Sequence, residues 1–468
     1  MPEDRYNIVL IMTDQHRRDA VGAYGAKTVQ TPNLDRLAEG AVVFDRYYCT
    51  SPLCAPARCS IATGRHAHSH GVLLNSSRHP DAKFARLHQD EVPLTDLLVQ
   101  AGYRVGRVGI DHIRADPPLS ERAGLAKHAG RAHYAQYLAA HGVPEADLSA
   151  YKRACLEVSM GREVETLYSS PDAGCHPCPP EHFFDTWVAR EAVSFLEETP
   201  SDEPFALLCY LWLPHPPVVV PEPYFSMYEP ADIDPPPHFM APLEGKPSMH
   251  LRHLPGQLGA YPTREQWLRT TAVYYGMVTM ADDCIGVVLD ALEGQGLADD
   301  ALIIFVPDHG EMLGCHSLYQ KMVCYQDSIR LPCLARAPGM APGRRGQLAC
   351  HVDLLPTILD YAGIEAPANL HGISLRPTIE DAAATTHEAV FSEYNGNQDL
   401  NYFQRAIITE QHKYIENEGD ISELYDLQED PYELHNLAVG SPGGTERELQ
   451  RLLRCWQADT GDFLGFRH

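Results

Sequence analysis

The chain has 468 residues, 44% of them hydrophobic, which suffices for a substantial core in one large α/β domain or in several smaller ones. A formal charge of −26 argues against a nucleic acid or an anionic membrane as partner, since either would want a basic face. No run approaches the roughly 18 consecutive apolar residues of a membrane-crossing helix, and the acidic opening MPEDRYNIVL does not read as a signal peptide.

The expectation is therefore a soluble, cytoplasmic protein. The 13 cysteines are scattered through a long chain and do not suggest a disulfide framework. Cys175 and Cys178 form a lone C-x-x-C in a Pro-rich loop, a weak metal or redox signal that reads as structural.

Residues 7–14, NIVLIMTD, are a near-continuous apolar run ending in a carboxylate, as in a buried parallel strand with its functional end at the C-terminus. Thr31 and Pro32 open a short helix over 33–38. Residues 41–48 read as a strand. The stretch SPLCAPARCSIATGR at 51–65 follows. Pro56 suits a first helical turn and Gly64 a helix end, so Cys54 is predicted at a helix N-terminus, where free N–H groups favour an anion. Arg58, one turn on, is placed to fork onto the same anion. Taken alone, Cys54 reads as a buried structural cysteine at a strand–helix turn; the whole string C-x-P-x-R with T-G-R is what sets that reading aside.

An amphipathic helix over 92–100 and a strand through Val108 come next. The pattern then weakens over 117–180, which reads as an insertion with short helices near the substrate entrance. A helix is predicted over 181–198 and a buried strand over 205–213, ending in PHPP at 214–217. Residues 218–262 are Pro-rich and aromatic-rich, too long for a plain connection. A long helical region over 264–293, a strand over 301–307 delivering Asp308 and His309, and a helix over 352–362 complete the alternating part. This alternation implies a doubly wound, mostly parallel α/β sheet flanked by helices. After about His371 short strands at 388–394, 402–409 and 413–416 and a helix at 446–456 suggest a smaller α+β unit with an antiparallel sheet. The expected division is 1–370 and 371–468.

The string C-x-P-x-R followed by T-G-R resembles the signature of the type I sulfatases of the alkaline phosphatase superfamily. TPNLDRLA at 31–38, DHGEMLG at 308–314, HGISL at 371–375 and ELYDLQEDPYELHNLA at 423–438 extend the resemblance in the same order over most of the chain. The resemblance implies an alkaline phosphatase-like fold. It also implies that Cys54 is the cysteine oxidised to formylglycine by a maturation enzyme.

The family's metal ligands fall on Asp14, Gln15, Asp308 and His309, with the modified Cys54 as a further ligand. Two carboxylates, an amide oxygen and an imidazole suit one divalent cation, Ca2+ first and Mn2+ second. Many relatives carry a second aspartate where this chain has Gln15. The implied chemistry is attack on sulfur by one hydroxyl of the hydrated aldehyde, with Asp308 taking its proton and the alcohol leaving. Collapse of the hemiacetal then releases sulfate, a step a plain serine or thiol lacks. Arg58 and Asn75 match residues holding the diol and sulfate; His112 matches the family histidine of a G-K-x-H segment, and His215 and Lys321 match residues contacting sulfate and the leaving oxygen.

His316 is a weaker candidate, and His66, His68 and His70 read as a helix-exit loop. One departure stands out: Ile110 occupies the position of a family lysine that neutralises sulfate. Arg107 or Arg114 are the replacements the sequence offers.

The leading reading is a sulfatase acting on a small organic sulfate ester. The alternative is a phosphonate monoester or phosphodiester hydrolase of the same superfamily. A non-catalytic protein retaining fold and metal is the reading from another class. Self-association into a homo-oligomer is left open.

Overall fold

The computed structural model describes residues 5–76, 83–122, 124–159, 161–438, 440 and 443–462. Strand β1 (Asn7–Thr13) sits inside a nine-stranded sheet and is buried along its whole length. Its side chains alternate between two cores. Ile8, Leu10 and Met12 join one cluster, and Val9 and Ile11 the other. Both faces of the strand are thus covered, which is why its sequence is apolar throughout rather than alternating.

The other strands of that sheet are β2 (Val42–Tyr48), β3 (Arg104–Gly109) and β4 (Leu125–Ala129). Two small pairs lie apart from it: the hairpin of β5 (Lys152–Ser159) with β6 (Arg162–Ser169), and β7 (Ala173–Cys175), which pairs with a later strand. Strand β8 (Phe205–Tyr210) returns to the main sheet, and β9 (Val218–Val220) is the partner of β7. Then β10 (Ala301–Pro307), β11 (Arg330–Leu331), β12 (Leu334–Arg336) and β13 (Gly343–Cys350) complete it. The order is β11-β2-β12-β10-β1-β8-β3-β4, with β13 on the other edge of β2. Strands β10, β1, β8, β3 and β4 are mutually parallel.

One face is covered by the helices Leu94–Gln100 and Leu354–Tyr361, through Leu98, Leu355 and Ile358. The other is covered by the helices Pro32–Glu39, Phe184–Glu197 and Arg264–Gly294, through Leu34, Trp187 and Ile285. The 31-residue helix Arg264–Gly294 is long and apolar enough to cross a membrane. In the fold its apolar side chains are buried against the sheet, so it is a core helix. Its start is fixed by Thr263, whose hydroxyl accepts from Gln266 N at 3.3 Å while Gln266 Oε1 accepts from Thr263 N at 2.8 Å.

A separate antiparallel sheet follows, in the order β14 (Val390–Tyr394), β15 (Gln404–Ile408), β16 (His412–Asn417), β17 (Glu423–Asp426). The helix Gly444–Thr460 packs on it through Leu449, Leu453 and Trp456.

The insertion differs from expectation. Besides the short helical elements expected there (Leu119–Glu121, Arg131–His141 and Ser149–Tyr151), it holds β4 at the sheet edge, the β5–β6 hairpin and β7. The hairpin escaped notice because Leu156, Val158 and Leu167 are exposed. Apolar residues then stand on both faces, and the period-two signal is lost. The strand expected over 205–213 stops at Tyr210, because the Asp185 carboxylate takes Trp212 N at 2.6 Å and Leu213 N at 3.0 Å.

Candidate active site

The four neighbouring parallel strands β10, β1, β8 and β3 end on one side of the sheet. Asp308 and His309 follow β10, Asp14 and Gln15 follow β1, Trp212 and His215 follow β8, and Ile110 and His112 follow β3. Thr13 is in register with Pro307, which sets Asp14 beside Asp308. The position matches the general rule that open α/β sheets carry their sites at strand C-termini.

Facing these residues is the helix Cys54–Thr63, all ten residues of which are buried. Leu53 is extended (φ −155°), Cys54 is the first helical residue, and Gly64 closes the helix in the left-handed region (φ 65°). Asn75 Oδ1 accepts from Ala55 N at 2.9 Å, satisfying one of the free N–H groups of the first turn. Its Nδ2 lies 3.8 Å from Cys54 Sγ. Cys54 Sγ is 3.1 Å from His309 Nε2 and 3.8 Å from Asp14 Oδ1.

Arg58 spans the two carboxylates. Its Nη2 donates to Asp14 Oδ2 at 2.8 Å, its Nε to Asp308 Oδ2 at 2.7 Å, and its Nη1 to the Ile110 carbonyl. Three of the five guanidinium N–H groups are thus engaged by the protein, which leaves two for the expected tetrahedral anion. One ligand atom from each of Asp14, Cys54, Asp308 and His309 lies within 4.8 Å of all the others, and all four residues are buried.

Burial and the charge of Asp308 push the Asp14 carboxyl up to about 7. Burial opposes the charge of Asp308 too, but His309 and Arg58 hold it well below the usual carboxylate range. Burial brings His309 down to about 3, so its imidazole is neutral near pH 7. Burial, then Asp14, pushes the Cys54 thiol up to about 12.

Gln15 has a left-handed backbone (φ 62°), and its N donates to Asp308 Oδ1 at 3.0 Å. Its side chain is bonded on both sides: Oε1 accepts from Lys321 Nζ and Nε2 donates to Glu311 Oε2. Lys321 Nζ is also 3.1 Å from His215 Nε2. His215 Nδ1 donates to the Pro216 carbonyl at 2.5 Å, which leaves Nε2 as the acceptor for the ammonium. His112 lies with Nδ1 3.8 Å from Asp14 Oδ2 and its ring edge-on to Trp212, 5.8 Å between centroids.

All ten sequence-derived candidates therefore surround one point. Three residues that sequence reasoning missed belong with them. Glu311, in DHGEMLG, accepts from Leu313 N at 2.8 Å and Gln320 N at 2.5 Å besides Gln15, tying down the loop that runs from Asp308 to Lys321. Trp212 packs against His215 with ring centroids 4.0 Å apart. Arg131 lies over the Trp212 ring at 4.8 Å. Only Glu311 sat inside a noted motif; the other two carry no local signal.

Arg107 pairs with Asp111 at 2.7 Å and Arg114 is exposed, so neither stands in for the lysine that Ile110 replaces. His316 lies with His238 and Tyr325. His66, His68 and His371 stack on one another against Trp456. Cys175 is exposed, Cys178 is buried, and all 13 cysteines are free.

The family model described as Sulfatase matches residues 6–364, and one described as N-sulphoglucosamine sulphohydrolase, C-terminal, matches residues 314–454. An arylsulfatase of Clostridium perfringens is 29% identical over 451 residues, covering 92% of this chain and 90% of that one. The multifunctional alkaline phosphatase superfamily protein PehA of Trinickia caryophylli is 28% identical, covering 98% and 96%. The solved phosphonate monoester hydrolase of Agrobacterium radiobacter superposes with a TM-score of 0.83 at 25% identity, covering 97% and 96%.

Proposed function

The chain belongs to the sulfatase family, within the alkaline phosphatase superfamily, and is a sulfuric ester hydrolase; from that premise we propose that Cys54, as formylglycine, is its nucleophile, and that Asp14, Asp308 and His309 hold one divalent cation beside it. The observation that carries the proposal is the buried four-donor group at the ends of β1 and β10. Two carboxylates and an imidazole converge there, with Cys54 Sγ standing for an oxygen of its oxidised form. Hard oxygen donors favour Ca2+, while the imidazole also admits Mn2+. Gln15 retains one amide lone pair beyond its bond from Lys321 and is a fourth candidate ligand. When bound, such a cation supplies Lewis acidity and lowers the pKa of a coordinated hydroxyl.

The remaining residues have separable tasks. Arg58 and Asn75 orient the nucleophile and a sulfate oxygen, since both already bond around Cys54. Asp308 is placed to take a proton from the nucleophile. Lys321 and His215 form one hydrogen-bonded unit, suited to the negative charge that grows on the leaving oxygen. His112 is available for a further sulfate contact. Cys54 is 2% exposed, so a formylglycine-generating enzyme would have to reach it in the unfolded chain. All these residues precede position 370, which supports assigning the chemistry to 1–370 and a supporting role to 371–468. Thirteen free cysteines support a reducing, cytoplasmic location.

The test is the mass of the Cys54 peptide from native-host protein together with metal-dependent hydrolysis of an aryl sulfate. An unmodified thiol in an active enzyme would overturn the proposal. A phosphonate monoester or phosphodiester activity is the second reading. The likeness to the phosphonate monoester hydrolase favours it. A large preference for those esters over sulfates would establish it.

A further inference from the structure

His316 lies in the loop that runs from Asp308 to Lys321 and is wholly buried, yet neither of its ring nitrogens has a hydrogen-bond partner among the described residues. An imidazole held this way is costly, because its polar atoms have left water and gained nothing in return. Its neighbour His238 is 4% exposed, and there Nδ1 is likewise unpartnered. The two rings lie 5.0 Å apart between centroids. Asp327 completes the group: one ligand atom from each of His238, His316 and Asp327 lies within 4.8 Å of the other two. None of the three belongs to the four-donor group at Cys54.

Backbone hydrogen bonds bring the three together from separate segments. His316 N donates to the His238 carbonyl at 2.8 Å, and Met240 N to the Gly314 carbonyl at 2.8 Å. Glu311 N donates to the Asp327 carbonyl at 3.1 Å. The donors are therefore placed before a ligand arrives, which spares that ligand the cost of ordering them. His238 Nε2 lies 2.8 Å from Asp327 Oδ2, so in its neutral form the ring donates there and keeps the lone pair on Nδ1. A bond from the far ring nitrogen to a carboxylate is also what fixes the tautomer of a metal-ligating histidine. Burial brings His316 down to about 3, so it too carries a lone pair near pH 7.

The charges nearby allow a cation. Burial opposes the charge on Asp327, but Arg17 and His238 hold its carboxyl well below the usual carboxylate range. Arg17 donates to Asp327 Oδ1 at 2.7 Å, and it is also forked onto Asp19 at 2.6 and 2.7 Å. Lys246, whose charge reaches His316, is bonded to the Tyr425 hydroxyl and the Glu433 carbonyl. Each Asp327 oxygen accepts one bond and so retains a lone pair. A cavity of about 130 Å³ reaches His238 and Asp327, with room for a water as a fourth ligand.

We propose that His238, His316 and Asp327 bind one first-row divalent cation, and that this cation staples the 218–262 segment to the loop carrying Glu311 and Lys321. Two imidazoles, a carboxylate and a water are a zinc donor set. Ca2+, which takes six to eight oxygen ligands, would not be satisfied there.

The test is a calorimetric titration with Zn2+ of the full-length chain carrying Cys54→Ala and Asp14→Asn together. Those two changes disable the four-donor group, so the result stands apart from the hydrolase reading. Zn2+ is expected to bind and to raise Tm. Co2+ in its place should give a four-coordinate visible spectrum without the charge-transfer band of a cysteine ligand. His316→Phe in the same background removes both nitrogens and forfeits no hydrogen bond, and His238→Gln keeps a donor toward Asp327. Each should weaken Zn2+ at least about tenfold, and His316→Phe should abolish the rise in Tm. Undiminished Zn2+ affinity in either folded variant, or a thiolate band from Co2+, overturns the proposal. So does a failure of Zn2+ to bind, which would make a trapped water the partner of His316.

Discussion

Cys54 Sγ lies 3.1 Å from Nε2 of His309, a residue 255 positions away in the chain. One contributes the start of a helix and the other the second residue after a strand, so the contact exists only when sheet and helix are docked. Replacing Cys54 by Ala removes the proposed nucleophile without touching the core, since one sulfur leaves little space. Cys54→Ala should fold, with turnover of an aryl sulfate at background. Cys54→Ser should be nearly as poor, because a sulfated serine has no route to release. Near-normal steady-state rates in either variant would sink the mechanism.

Asp14 and Asp308 share Arg58 between them. Asp14→Asn and Asp308→Asn keep the shape and remove one charged donor each. Both should lose bound metal and activity together, read by elemental analysis of purified protein. The alanine variants add a stability loss of about 3–5 kcal/mol, because a buried guanidinium is left short of a partner. A full metal complement in both Asn variants would rule out the site.

Glu311 is 1% exposed and accepts three hydrogen bonds, from Gln15, Leu313 and Gln320. Glu311→Ala leaves three buried donors unpaired, at about 1–3 kcal/mol each. The expected outcome is a drop of several degrees in Tm and a fall in kcat, since Lys321 loses its anchored loop. Differential scanning calorimetry and steady-state kinetics check both. A change in kcat with an unchanged Tm would contradict the positioning role.

Glu423 gives a pH prediction away from the site. It is fully buried, and its carboxylate accepts from Tyr325 at 2.5 Å, Tyr425 at 2.6 Å and Asn417 at 3.1 Å. Burial alone would raise its pKa, but His250, Lys246 and the Tyr325 hydroxyl bring it down to about 2 from the ordinary 4.5. A depressed carboxyl stabilises the fold above its unfolded value and loses that contribution as pH falls toward 2. The difference corresponds to about 3 kcal/mol. Urea titrations between pH 6 and pH 3 should show a loss in the parent protein that Glu423→Gln lacks. Parallel pH curves for the two would refute the assignment.

The cations around the nucleophile are Arg58 and Lys321, with Arg131 beside them; Arg107 is committed to Asp111. Arg58 is already balanced by two carboxylates. So modest a positive charge suits a singly charged ester. Phosphate monoesters are mostly doubly charged at neutral pH, their second pKa being about 6. With one aryl leaving group, kcat/KM should be highest for the sulfate and lowest for the phosphate monoester. Phosphate monoesters ranking first would refute the charge argument.

Much of this molecule is written in short-range pattern. The apolar run of β1, the strand that delivers Asp308, and the Pro56–Gly64 brackets of the Cys54 helix all follow from side chains within a dozen residues of each other. Local sterics and burial on two faces decide such elements, so the sequence alone located Asp14, Cys54, Asp308 and His309 on the right elements. What it did not determine is how their side chains divide the available partners. That Arg58 bridges both acids, and that Gln15 turns to Lys321 and Glu311, depends on register between β1 and β10 and on the path of a buried loop. The cavity of about 280 Å³ beside His215 was decided wholly by tertiary structure. Its wall draws on residues 110, 131–148, 176–184, 212–219 and 277, and the long 218–262 segment contributes Val219 alone. Aromatic residues in such loops have no spacing that announces a pocket, because only the packing of distant segments makes their faces converge.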